Sequence, residues 1–297
     1  MSLWIPITIA AAAMQTLRFV LQKQLSGSEL SAAGATFARF LFAAPLACLA
    51  AAAALGIHGD ALPRPGPGFW GFVLMGGIAQ ILATFLTVAL FGMRNFAVGI
   101  AFTKTETVQV ALFSAVILSE SVAPAGWVAI GLGLAGVLLL SRSPQADAPL
   151  FGRPALYGVL AGGLFGLSAI GYRGATVAID ALPFFSRAVV ALAAATVLQS
   201  VVMAAWLAWR EPGEIARVGR GWRRTALVGL TGMLGSLGWF TAFSLQNAAH
   251  VRALGQVEIV FTLLASVLVF HERLRLREAA GLGLVVLSLI VLVVGLG

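Results

Sequence analysis

Lys104 and Glu106 stand near the middle of an apolar run from Phe96 to Leu118, in the stretch AFTKTETVQV. An ionised side chain at bilayer depth costs at least about 3 kcal/mol unless it is paired or faces water. Each of these groups therefore needs a partner or a task. A helix advances about 100° per residue, which turns Lys104 about 200° away from Glu106, so the two charges do not pair along their own helix. Phe102, Glu106, Gln109 and Phe113 share the other side. Polar partners on offer elsewhere include Gln15, Arg18, Arg39, Gln80 and Thr84, and in the second half Tyr172, Arg173, Arg187, Trp239, Gln256 and Glu258.

Two uses of these residues fit their types. In the first, Lys104 or Arg18 attracts a substrate carboxylate while Glu106 or Glu258 faces an amino group. Gln80, Thr84, Gln256 and Trp239 then supply neutral hydrogen bonds and an aromatic wall. In the second, Glu106 and Glu258 neutralise Arg39 and Arg187 as fixed pairs between helices. Enzyme chemistry has no comparable support. His58, His250 and His271 are far apart in sequence, and neither a metal-spaced cluster nor a catalytic triad can be assembled. The GLGLAG stretch at 131–136 follows no strand and is expected to pack helices, not hold phosphate. No cofactor, metal or nucleotide is expected.

The elements that carry these residues follow from composition. Of 297 residues, 60% are hydrophobic and only 10% charged. A soluble surface needs about 25% charged residues, so the outer solvent is expected to be lipid. The net charge of +8 suits lipid headgroups and cytoplasmic connections better than nucleic acid. The single cysteine, Cys48, excludes an intrachain disulfide. Ten segments are long and apolar enough to span: 3–21, 31–56, 69–93, 96–118, 124–141, 154–172, 181–209, 223–245, 250–270 and 276–296. Trp4, Trp70, Trp127, Trp206, Trp209 and Trp222 fall near segment ends, where an interfacial belt is expected. Connections after odd-numbered segments carry most of the cations. Those after even-numbered segments carry only Arg64, Arg173 and Arg252. That bias puts both termini outside.

The chain also repeats. At an offset of 152, Trp70 falls on Trp222, Asn95 on Asn247, Glu106 on Glu258 and Glu120 on Glu272. A weaker match pairs Phe37 with Phe185 and Arg39 with Arg187. Lys104 and Gln80 have no like counterpart, being answered by Gln256 and Gly232. Five segments per copy, an odd number, would bring the second copy in from the opposite face. The expected fold is thus an all-α integral membrane protein of ten transmembrane helices, built as two inverted five-helix repeats, 1–145 and 146–297.

The stretches ETVQVALFSAVILSESVAPAGWVAIGLGLAGVLLL and EIVFTLLASVLVFHERLRLREAAGLGLVVLSLIVLVV resemble the end of an EamA-type repeat of the drug/metabolite transporter superfamily. The family pattern runs Glu-Pro, an apolar stretch, Gly-Glu, a turn and a glycine-rich last helix. Here Thr107 and Ile259 replace the prolines, and Ser119 and His271 replace the glycines. Without those prolines the reason for a break in segments four and nine is removed. The resemblance implies a ten-helix exporter of small metabolites, many relatives moving amino acids. It puts Glu106 and Glu258 at the mid-membrane acidic position. A bacterial-type inner-membrane location is expected, with a small-molecule substrate, the lipid bilayer as surroundings, and either a monomer or a dimer. The function expected is export of amino acids or related metabolites by alternating access, the alternative being proton-coupled efflux of cationic drugs.

Overall fold

The computed structural model describes residues 2–26, 30–61, 63–93, 103–141, 153–269 and 276–296, all helical or connecting. The first half holds α1 (Trp4–Ser26), α2 (Ala32–His58), α3 (Pro67–Phe91), α4 (Glu106–Ile117) and α5 (Pro124–Ser141). The second holds α6 (Arg153–Val177), α7 (Phe184–Arg210), a short α8 (Glu214–Arg220), α9 (Trp222–Leu245), α10 (Ala248–Leu254), α11 (Glu258–Leu268) and α12 (Leu276–Leu296). Six stretches among the described residues are long and apolar enough to cross a membrane: α1, α2, α3, α7, α9, and α10 running into α11 as Ala248–Ala265. α4 and Pro124–Gly136 of α5 are shorter apolar helices.

Local chemistry sets several ends. Ser31 caps α2 by accepting from the Gly34 N–H, and Gly59 closes it at φ 68°, where a side chain would be strained. Pro67 begins α3, where its missing N–H is not needed. Asn247 caps α10 through Ala249 N. The connection REPGEIARVGRGWRR, between segments seven and eight, contains α8. Its Glu214 is buried against α2, accepting from Ser31 N at 2.7 Å.

Polarity is distributed inside out relative to a soluble protein. Ile57 is 81% exposed and Val116 83%, while Lys104, Glu106, Arg18 and Arg39 are buried. Only a lipid surround makes that arrangement favourable. Trp70, Trp127, Trp206, Trp209 and Trp222 are exposed near helix ends, but Trp4 is buried and takes no part in such a belt.

The principal packings join the halves. α1 lies on α9, α3 on α6, α2 on α7, and α5 on α12; α4 contacts α6, and α11 contacts α1. Exchanging α1 with α6, α2 with α7, α3 with α9, α4 with α10–α11, and α5 with α12 maps this set onto itself. Lipid gives no hydrophobic drive between helices, so close backbone approach must supply the contact. At the α3–α6 crossing a Cβ on Gly171 would lie 2.6 Å from Gly76 Cα. At the α5–α12 crossing one on Gly136 would lie 2.7 Å from Gly281 O.

Segments four and nine are interrupted despite having no proline. α4 starts afresh at Glu106, after a turn in which Lys104 O accepts from both Thr107 N (3.3 Å) and Thr107 Oγ1 (3.1 Å). α10 and α11 are separated by a 3-10 turn, Gly255–Val257, and α11 starts at Glu258. Tightened turns in mid-helix are frequent at hinges. Residues 94–102, the rest of segment four, and His271 and Glu272 lie outside the described residues.

Candidate functional site

Because both interruptions end on a glutamate, each carboxylate sits in the first turn of a new helix, where the helix dipole favours negative charge. The partners then cross between halves. Lys104, from the first half, places Nζ 2.6 Å from Oε2 of Glu258. Arg252, from the second, places Nε 2.9 Å from Oε1 of Glu106. Both side chains of each pair are buried. The Lys104 bond is well directed. The Arg252 contact is an ion pair whose angle falls outside hydrogen-bond geometry.

Glu258 Oε2 also accepts from Gln15 Nε2 at 2.8 Å, and Gln15 Oε1 accepts from Trp239 Nε1 at 2.9 Å. The Trp239 ring in turn lies beneath the Arg252 guanidinium, 4.5 Å from its centroid, with the Phe243 ring 5.5 Å from the same group. One continuous chain of contacts therefore links Lys104, Glu258, Gln15, Trp239, Arg252 and Glu106. Gly255 gives it room: a Cβ there would approach the Trp239 ring to 2.7 Å.

A second polar cluster surrounds Arg39. Its Nη1 donates to Thr84 Oγ1 at 2.9 Å and its Nη2 to Ser236 Oγ at 3.2 Å. With its amide oxygen turned toward the guanidinium, Gln80 accepts from both nitrogens, at 2.8 and 3.2 Å, while its NH2 reaches Ser168. Beside it, Arg18 donates to Gln22 and rests 4.0 Å above the Phe19 ring.

Against the sequence-based expectations, Lys104, Glu106, Glu258 and Trp239 come together, and Gln80 and Thr84 gather on Arg39. Gln256 does not join them: its amide packs over Gly133 of α5, and neither its oxygen nor its nitrogen has a hydrogen-bond partner. The pairing of Glu106 and Glu258 with Arg39 and Arg187 is corrected. Arg39 is held by neutral oxygens, and Arg187 is only half-buried, donating to Ser244 O at 2.9 Å. Other cations, Lys104 and Arg252, take the two glutamates instead.

The charge count groups Arg252 with the connection after segment eight, although it lies two residues inside segment nine. Asn247 caps the helix earlier, and this puts Arg252 inside it. Arg173 likewise lies within α6, not in a connection. It donates to Glu120 Oε1 (2.9 Å) and to Phe243 O (2.6 Å), joining the halves at one end of the bundle. Ser119, at the family's glycine position, has φ 54°, the left-handed conformation a glycine would adopt without strain.

An apolar exterior enclosing cross-linked buried charges defines a multi-pass helical membrane protein with a polar centre. The chain belongs to the EamA-like transporter family, whose model matches residues 2–142 and again 153–294. Membership places it among small-solute transporters of the drug/metabolite superfamily. No curated protein matches the sequence. A solved structure described only as a crystal structure of a protein has the same fold, with a TM-score of 0.64 at 18% identity, covering 95% of this chain and 98% of that one.

Proposed function

We propose that the protein is a secondary transporter or facilitator, moving amino acids or related small metabolites out across a bacterial-type inner membrane by alternating access. In this reading it has ten spans, two inverted five-helix repeats divided near residue 145, and a pathway along the halves' interface. The observation that carries the reading is the reciprocal pair of ion pairs, Lys104–Glu258 and Arg252–Glu106, each crossing between halves at an interrupted helix.

Such pairs suit a zwitterion. Its carboxylate and amino group can replace both members of a pair at once, so neither Lys104 nor Glu258 is left buried without a counter-charge. Arg252 over Trp239 offers a second cation beside an aromatic face. Rocking of one half against the other would separate the pairs, and the bound substrate would lower the cost of separation. Efflux of cationic drugs fits less well, since such a drug would join four buried cations, Arg18, Arg39, Lys104 and Arg252, facing two buried carboxylates in the same region.

Counterflow in proteoliposomes tests the proposal. Labelled amino acids should accumulate against unlabelled ones without an imposed gradient, and Glu258→Gln should reduce the flux. Uptake that requires a pH gradient and is confined to cationic compounds would replace this reading by proton-coupled efflux.

A further inference from the structure

The buried charges do not balance. Among the described residues, Glu106 and Glu258 are already charge-paired with Arg252 and Lys104, though Oε1 of each has no hydrogen-bond partner, and the only other buried carboxylate, Glu214, is tied to Arg217 and Ser31 near the end of the bundle. Arg18 and Arg39 are left with no carboxylate. Arg39 has neutral acceptors on every side. Arg18 is 1% exposed, and its Nη2 has no hydrogen-bond partner at all. A buried guanidinium left short of acceptors is costly, so a missing partner is implied.

The two arginines also converge. A Cβ on Gly232 would lie 3.0 Å from Arg39 Cγ and 3.2 Å from Arg18 Cδ. The stems of both side chains therefore cross one face of α9, on a floor kept clear by the absence of a side chain. Gly232 is the repeat counterpart of Gln80, so the second half vacates the position that the first half fills. Gln15, one turn before Arg18 on α1, donates to Glu258. Glu258 links this pair to the zwitterion-binding groups. Guanidinium forks match carboxylate and phosphate oxygens in two-point bonds.

We infer that Arg18 and Arg39, spaced over Gly232, form an oxyanion subsite, and that the transported metabolite carries a net negative charge. The ligand is an amino compound with an additional carboxylate or phosphate. This rests on the transport reading above and names the charge class of its substrate.

Matched pairs test the added anion: glutamate against its isostere glutamine, aspartate against its isostere asparagine, and phosphoserine against serine, each measured as ligand-induced thermal stabilisation of the purified protein. The acidic member should bind at least about ten-fold more tightly than its neutral counterpart. Preference for glutamate and aspartate identifies a carboxylate subsite; preference for phosphoserine identifies a phosphate subsite. Arg18→Gln should bring the ratio close to one while the ligand-free protein melts no lower, because a poorly partnered buried charge has been removed. A lower ligand-free melting point with an unchanged ratio would mark Arg18 as structural and overturn the subsite. Where Arg18→Gln does not fold, Gly232→Ala keeps both charges, pushes their stems apart and should reduce the ratio. Neutral members binding as tightly as acidic ones, or no stabilisation by any member, would overturn the inference. Counterflow of the neutral members would then leave the transport reading standing, whereas absent counterflow for every solute would overturn that reading separately.

Discussion

Replacing Lys104 by methionine would leave the Glu258 carboxylate buried at 1% side-chain exposure with Gln15 as its one hydrogen-bond donor. Removing one partner of a buried pair costs about 3–5 kcal/mol, because the remaining charge is both desolvated and uncompensated. Two features place this case near the lower limit. The Gln15 bond survives, and Arg18 stands one turn further along α1 from Gln15. We expect a loss of about 3 kcal/mol for Lys104→Met, and a similar loss for Glu258→Gln, which strands the lysine. The double variant has no charge to strand and should recover most of the loss, giving a coupling of about 2 kcal/mol or more. Reversible unfolding in mixed micelles, followed by tryptophan fluorescence, measures all four corners of the cycle. A coupling within about 0.5 kcal/mol of zero would refute the pairing, since distant sites add to within that margin.

Arg252→Gln should destabilise by about 2–4 kcal/mol, combining a stranded Glu106 with the lost contact over Trp239, and should be partly rescued by Glu106→Gln in the same unfolding assay. Gly171→Ala drives a methyl into the Gly76 backbone and should cost about 1–3 kcal/mol, whereas Gly131→Ala, where a Cβ meets nothing within 4 Å, should be tolerated. Ser119→Gly should stabilise by about 0.5–1 kcal/mol, read as a raised melting point, by relieving the positive φ. Arg173→Gln should leave the centre intact but raise hydrogen exchange around 118–123 and 243–247, the segments its guanidinium joins.

The repeat made much of this architecture legible. Scarce residue types recurring at one offset located Glu106 and Glu258, and the lack of a counterpart singled out Lys104. Lys104 and Glu106 do take different partners, but Lys104 lies in the turn ahead of α4, so the 200° helical argument is not the reason. Their actual partners were less visible, because the pairing is reciprocal between halves and periodicity reports only a residue's own helix. Arg252 falls so close to the predicted start of segment nine that it reads as a connection charge, whereas Asn247 ahead of the apolar run is the capping signal that places it within the helix. The interruptions were hidden for another reason. A proline is the usual sequence sign of a break, but here the Lys104 carbonyl bonded to Thr107 and a 3-10 turn at Gly255 do the same work. Glu120, known from sequence only as a repeat match to Glu272, spans to Arg173 of the other half. No local pattern encodes that contact.

In the proposed function the crossed ion pairs lie on the transport pathway and are exchanged for substrate during each cycle. Counterflow of labelled amino acids in proteoliposomes, run for the native protein and for the Lys104→Met/Glu258→Gln double variant, tests it most directly. The double variant is expected to fold with near-native stability yet lose most of the flux. Native-level flux from that variant, or no flux of any small solute from the native protein, would contradict it.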